Sequence, residues 1–218
     1  MSSTQQFAEP GVMSHQVMYS GVTGLFVYDA EYVVVDVETS GFDAFADARI
    51  LEIAALRTSG DGQVIESFHT LVNPGDGRVG AEFIHGISPS MLMGAPSFEQ
   101  IWPALRSFLS DAIFVAHNAQ FDASFLDAET RRIGIAMDVM PGLCTYWLGR
   151  RAMPHLERHK LETIAAALGI KNHGAHRAFD DALVVVEALP HLLTGVQLRH
   201  HAEVTPKIAR FDVPIKVR

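Results

Sequence analysis

The sequence predicts an α/β protein built on a mixed sheet, an antiparallel meander followed by parallel strands, with helices on both faces. Three observations predict it. Three β-branched, apolar runs at 31–38, 50–59 and 64–72 follow one another across short turns. A fourth run, AIFVAH at 112–117, passes directly into the helical pattern AQFDASFLDAETRRIG. Further helical segments close the chain, and strand-and-helix alternation after a meander packs helices on the sheet.

Taken in order, residues 1–29 are rich in Gly, Ser, Gln and Met without clear periodicity, and read as a poorly ordered extension. GFDAFADAR joins the first two strands and the turn GDG at 60–62 joins the next two. Residues 73–96, with much Gly and Pro, read as loop. Phe98, Ile101, Leu105 and Phe108 then recur at helical spacing, with Ser97 and Glu99–Gln100 as the start. The helix after the fourth strand ends at Gly134, and more helices are expected at 144–152, at 160–168 with a stop at Gly169, and at 177–193, with a short strand near 138–142. The domain boundaries expected are 30–194 for the folded unit and 195–218 for a basic tail.

Composition narrows the classes. A chain of 218 residues that is 48% hydrophobic and 19% charged can bury a full core. No run approaches membrane-spanning length, and no Lys or Arg precedes Arg49, so a secretory or transit leader is not expected. The single Cys144 excludes an internal disulfide and suits the cytoplasm. The net charge of −8 argues against coating long duplex. Residues 195–218 carry Arg199, Lys207, Arg210, Lys216 and Arg218 against Glu203 and Asp212, a local +3 that leaves −11 on the rest. That tail is either a solvated end or an arm for nucleic acid or a partner.

The chemistry starts at YVVVDVETSG, residues 32–41. Alternation puts Val34, Asp36 and Glu38 on one face of the strand and Val33, Val35 and Val37 on the other. Two like charges at the end of such a strand repel and lose hydration unless the stretch is a solvated strand end, so something positive should lie between them. Asp122 shares a helical face with Phe125, Leu126 and Glu129, which sets an acid among core residues, or else at a helix start where the dipole favours it. In AHRAFDDALVVVEAL, Asp181 falls beside the apolar stripe Ala178, Ala182, Val185 and Leu189, whereas Asp180 lines up with Val184, Glu187 and His191 on the wetter side. At roughly 100° per residue, His176 and Asp181 would diverge by about 140° on one helix, which places His176 in the exposed loop before it. There it is a site residue or a plain first-turn partner of Asp180. Asp36, Glu38, Asp122 and Asp181 make a hard oxygen site suited to Mg²⁺ or Mn²⁺. Two such ions can activate a water and stabilise the leaving oxygen of a phosphodiester while a histidine takes the proton.

DVE at 36–38, NAQFD at 118–122 and HRAFDD at 176–181, in this order and within VVVDVETSGF, RILEIAALR, VAHNAQFDASFL and HKLETIAAALGI, resemble the DEDD-type 3′–5′ exonucleases with a catalytic histidine, which have the ribonuclease H-like fold. The resemblance covers residues 30–194. It implies that Asp36, Glu38, Asp122 and Asp181 bind two metal ions, that His176 is the general base, and that Thr39, His85, Asn118 and Phe121 hold the 3′-terminal nucleotide. Phe121 and Ile87 would face the terminal base or belong to the core. CTYWLGRRAMP and HRAFDDA look like the proofreading subunit of bacterial DNA polymerase III, while DVETSGF and VAHNAQFD are also similar to ribonuclease T. Single-stranded 3′ ends, with DNA favoured over RNA, are the implied substrate, and a DNA polymerase is the implied partner. The alternatives are RNA 3′-end trimming and a non-catalytic nucleic-acid-binding module on the same fold.

Overall fold

The structure, a computed structural model, describes residues 30–137, 140, 142–171, 174 and 176–193. The expected extension at 1–29 and the basic tail at 195–218 lie outside the described residues. In chain order the elements are β1 (Glu31–Thr39), β2 (Ile50–Ser59), β3 (Val64–Leu71), α1 (Glu82–His85), α2 (Pro89–Leu92), α3 (Phe98–Leu109), β4 (Ile113–Ala116), α4 (Gln120–Arg132), β5 (Gly142–Cys144), α5 (Thr145–Ala152), α6 (Leu161–Leu168) and α7 (Ala178–Leu193).

The sheet runs β3-β2-β1-β4-β5. β1 pairs antiparallel with β2, and β2 with β3, whereas β4 lies parallel to β1 and β5 parallel to β4. The strand alternation read from the sequence sorts β1 between two cores. Val33, Val35 and Val37 pack with α3 and α4 on one face. Tyr32 and Val34 pack with α5, α6 and α7 on the other. Each fully buried Val, Leu or Phe contributes about 1.5–3 kcal/mol, so a central strand covered on both faces is the most firmly held element of the sheet.

Local signals set the ends. Ser97 accepts from the Gln100 amide at 3.3 Å while Gln100 Oε1 accepts from the Ser97 amide at 2.8 Å, a reciprocal cap that starts α3. Gly169 ends α6 in the left-handed region, φ 73°, as the sequence predicts.

Three features differ from the sequence expectation. The segment 73–96 contains the one-turn helices α1 and α2. The short strand expected near 138–142 is Gly142–Cys144, and residues 138, 139 and 141 lie outside the described ones. α7 is buried nearly all round: Glu187 and His191 face solvent, but Val184 on that supposedly wet side is buried, because α5 and α6 cover the helix flank turned away from the sheet.

The loop before α1 is drawn onto the exit of β1. Gly80 has φ 66°, and a Cβ there would overlap the Ser40 carbonyl. Gly80→Ala should therefore cost about 1–3 kcal/mol of backbone strain plus this overlap, lowering Tm by about 2–4 °C per kcal/mol. Gly75, with φ 83° and open space around it, is the control. Calorimetry should find Gly80→Ala clearly worse than Gly75→Ala; equal losses would mean that the close approach to Ser40 matters little.

Candidate active site

The site forms where β1 and β4 end, the place at which parallel strands release their chains into loops. Asp36 and Glu38 project from β1 on the face covered by α7. Val34 belongs to that same core, so the face assignment made from alternation holds. α7 brings Asp181 to them, and carboxylate oxygens of Asp36, Glu38 and Asp181 all lie within 4.8 Å of one another. Asp180 turns elsewhere, toward Gly174, where a Cβ would collide with its carboxylate.

Asp122 stands in the first turn of α4 and is 3% exposed. Phe125, Leu126 and Glu129, its expected companions, are equally buried. It lies outside the three-carboxylate group, yet its charge acts directly on Asp36.

Burial pushes the Asp36 carboxyl well above the usual range, and the charges of Asp122, Asp181, Glu38 and Glu52 add to the effect. Burial also raises Asp122, with Glu38 adding to it, against backbone hydrogen bonds at Asp122 and Val37 that favour the ionised form. Glu38 is pushed up to about 7 by burial and by Asp181 and Glu52, with Arg177 opposing. The cluster therefore holds protons that a divalent cation can replace, and its all-carboxylate donor set fits a hard ion.

Three described non-glycine residues have positive φ, and two of them are site candidates: Asn118 at 63° and His176 at 66°. Asn and His tolerate this region better than most residues, but it costs energy and recurs at functional sites. His176 is exposed, precedes α7, and donates its backbone N–H to Asp181 Oδ2 at 3.0 Å. Asn118 is exposed at the turn after β4, and its carbonyl accepts the Phe121 amide at 2.8 Å. The half-buried Phe121 ring lies 4.8 Å from that of Phe125. Thr39, at a register shift that ends β1, turns its hydroxyl to the Gly41 carbonyl at 2.7 Å.

Two of the residues singled out in the sequence lie in the interior. Ile87, read from the sequence as either base-facing or core, is fully buried with Leu51, Val79 and Leu92 and takes the second place. His85 is 3% exposed; its Nδ1 accepts the Ile87 amide at 3.0 Å and its Nε2 lies 3.0 Å from the Val79 carbonyl. Both ring nitrogens are thus used to close their own loop.

Sequence reasoning missed Glu52. It stands opposite Glu38 in the β1–β2 register, is 0% exposed, and binds His69, Arg177 and the Ala178 amide. Burial pushes its carboxyl up, but the hydrogen bonds from Arg177 and His69, the Arg177 charge and the Ala178 amide together outweigh this and hold it below the usual range. The one available signal was an acid inside the apolar run RILEIAALR.

A raised carboxylate pKa favours the protonated folded state, so the stability it contributes is present below the ordinary value of 4.5 and is lost as pH rises through about 7 for Glu38. The metal-free protein should lose Tm steadily between these values. Mg²⁺ or Mn²⁺ should restore it, by about 2.7 kcal/mol at a hundredfold excess over Kd. Thermal melts at pH 5, 6, 7 and 8 with EDTA or millimolar metal check this; a pH-independent Tm that ignores metal would contradict the electrostatic picture.

Comparison with known proteins agrees with this geometry. A family model described as RNase_T, exonuclease, matches residues 33–189. The DNA polymerase III subunit epsilon of Aquifex aeolicus is 34% identical over 175 residues, covering 79% of this chain and 85% of that subunit. The PolC-type DNA polymerase III of Halalkalibacterium halodurans is 36% identical over 166 residues, which are 76% of this chain but only 11% of that polymerase. Among solved structures, E. coli exonuclease I in complex with a dA16 oligonucleotide superposes with a TM-score of 0.65 at 20% identity, over 78% of this chain and 42% of that one. The nuclease domain of 3′hExo, a DEDDh family member bound to rAMP, does so with a TM-score of 0.66 at 14% identity, over 77% and 93%. These two share the fold: a five-stranded mixed sheet of ribonuclease H-like type with helices on both faces. By that family model and the epsilon relative, the chain belongs to the RNase_T exonuclease family.

Proposed function

We propose that this chain is a divalent-metal-dependent 3′–5′ exonuclease that hydrolyses phosphodiester bonds at single-stranded 3′ ends, with DNA favoured over RNA. The observation that supports it most is the convergence of Asp36, Glu38 and Asp181 beside an exposed histidine, within a chain of the exonuclease family. The likeness to a DNA polymerase III subunit supports DNA and points to a polymerase as partner in the cytoplasm. RNA trimming is the second reading, supported by the shared fold of 3′hExo bound to rAMP.

Asp36, Glu38, Asp122 and Asp181 would hold two Mg²⁺ or Mn²⁺ ions, which when bound supply activation of a water and charge stabilisation on the leaving oxygen. The remaining work falls to the chain itself. His176 takes the proton from the attacking water, and its backbone bond to Asp181 ties it to the carboxylate cluster. Thr39, Asn118 and Phe121, at the ends of β1 and β4, hold the terminal nucleotide, with the Phe121 ring as the apolar surface for its base. His85 contributes by closing the loop that lies on the β1 exit.

Matched DNA and RNA oligonucleotides labelled at the 3′ or the 5′ end, and a circular single strand, test the proposal. Mononucleotide release from linear 3′ ends that stops with EDTA and spares the circle is expected. Cleavage of the circle would mark an endonuclease, and faster RNA loss would favour trimming. Asp36→Ala or Asp181→Ala should lower kcat by at least about 10³-fold without loss of fold, because deleting one acid relieves repulsion. His176→Ala should lose roughly 10²–10⁴-fold in kcat yet keep the metal-induced rise in Tm. If it loses that rise as Asp181→Ala does, His176 is a ligand or a structural support and not the base.

A further inference from the structure

We propose that Glu52 is a positioning residue for the histidine base, setting through Arg177 and the first amide of α7 the turn that seats His176 beside the carboxylates. The proposal rests on the exonuclease reading for its activity measurements, but its structural core does not depend on it.

Four hydrogen bonds meet at one buried carboxylate. Arg177 donates from Nε to Glu52 Oε2 at 3.2 Å and from a terminal nitrogen to Oε1 at 2.9 Å. The Ala178 amide donates to Oε2 at 3.3 Å, and His69 Nε2 lies 2.8 Å from Oε1. The His69 ring also rests 5.2 Å from that of Phe179 in the first turn of α7. Residues 177, 178 and 179 are thus fixed to β2 and β3 immediately after His176, whose left-handed backbone the surroundings must hold in place. A two-pronged Arg–carboxylate pair fixes orientation as well as distance.

Glu52 is not a fourth member of the carboxylate group. It stands opposite Glu38 on the same face of the sheet, where a like charge alone would destabilise the pair. The Arg177 charge offsets it locally, and the bonds from His69 and the Ala178 amide occupy its oxygens further. His69 and Arg177 are side chains with 37% and 44% exposure, so both can turn to water if Glu52 loses its charge. Glu52→Gln keeps an acceptor for the Ala178 amide, and the variant should fold. Arg177→Met removes the link from the other side and leaves Glu52 bound to His69 and Ala178.

Amide hydrogen exchange in the metal-free protein is the first test. Glu52→Gln and Arg177→Met should speed exchange at His176 and Ala178 while leaving the amides of β1 and the middle of α7 as protected as in the parent. Kinetics on a 3′-labelled oligonucleotide are the second. Both variants should lower kcat by about 10²-fold, the cost of a small misplacement of a reacting group, with KM unchanged and a Mn²⁺-induced rise in Tm retained. In a His176→Ala background Glu52→Gln should cost nothing further, because its effect passes through that side chain. Arg177→Lys should recover part of the loss. Unchanged exchange at His176, an additive loss in the double variant, or a lost Mn²⁺ response would each overturn the proposal. A parent protein inert on every oligonucleotide would refute the exonuclease reading, and exchange at His176 would still decide the role of Glu52.

Discussion

The fold is organised around an electrostatic conflict. β1 carries Asp36 and Glu38 to its end on one face, and α7 presses Asp181 against them until their oxygens lie within 4.8 Å of one another. At such separations in a partly desolvated setting, three negative charges repel by several times what they would in water. The chain absorbs the conflict in two ways. It retains protons on the carboxylates, as the upward displacement of Glu38 and Asp36 shows, and it anchors the strands that bear them in cores on both sides of the sheet. Rigid backing is what keeps the cluster together: Val33, Val35 and Val37 below and Val34 above leave β1 no direction in which to yield.

Much of this was legible in local sequence. The two-residue period of YVVVDVETSG assigned both acids to one face, and the apolar stripe of α7 selected Asp181 over Asp180. The angular argument placed His176 outside the helix, where it stands with φ 66°. What local pattern could not show was anything that depends on partners distant in the chain. Glu52 reads as one acid in an apolar strand, and its meaning lies in Arg177, 125 residues away. Ile87 and His85 lie in the Gly- and Pro-rich segment read as loop, and both are buried, Ile87 against Leu51, Val79 and Leu92 and His85 through bonds to the Val79 carbonyl and the Ile87 amide, partners that local pattern does not show.

The same distinction explains the misplaced strand and the helical loop. β5 is three residues long and has no period of its own, so its position is set by pairing with Phe114, Val115 and Ala116. α1 and α2 are single turns below the length at which helical spacing can be recognised. α7 is apolar nearly all round because it lies between the sheet and two further helices, a fact about packing that its own sequence only hints at.

The central claim is that the carboxylate cluster exchanges protons for divalent cations. Calorimetric titration of Mn²⁺ into the metal-free protein at pH 7, repeated in two buffers of different ionisation enthalpy, measures this exchange directly. The account predicts saturable binding that releases protons, and a smaller release in Glu38→Gln, since Glu38 is pushed up to about 7 while Asp36 is raised as well. Binding with the same heat in both buffers, or the absence of saturable binding, would contradict it.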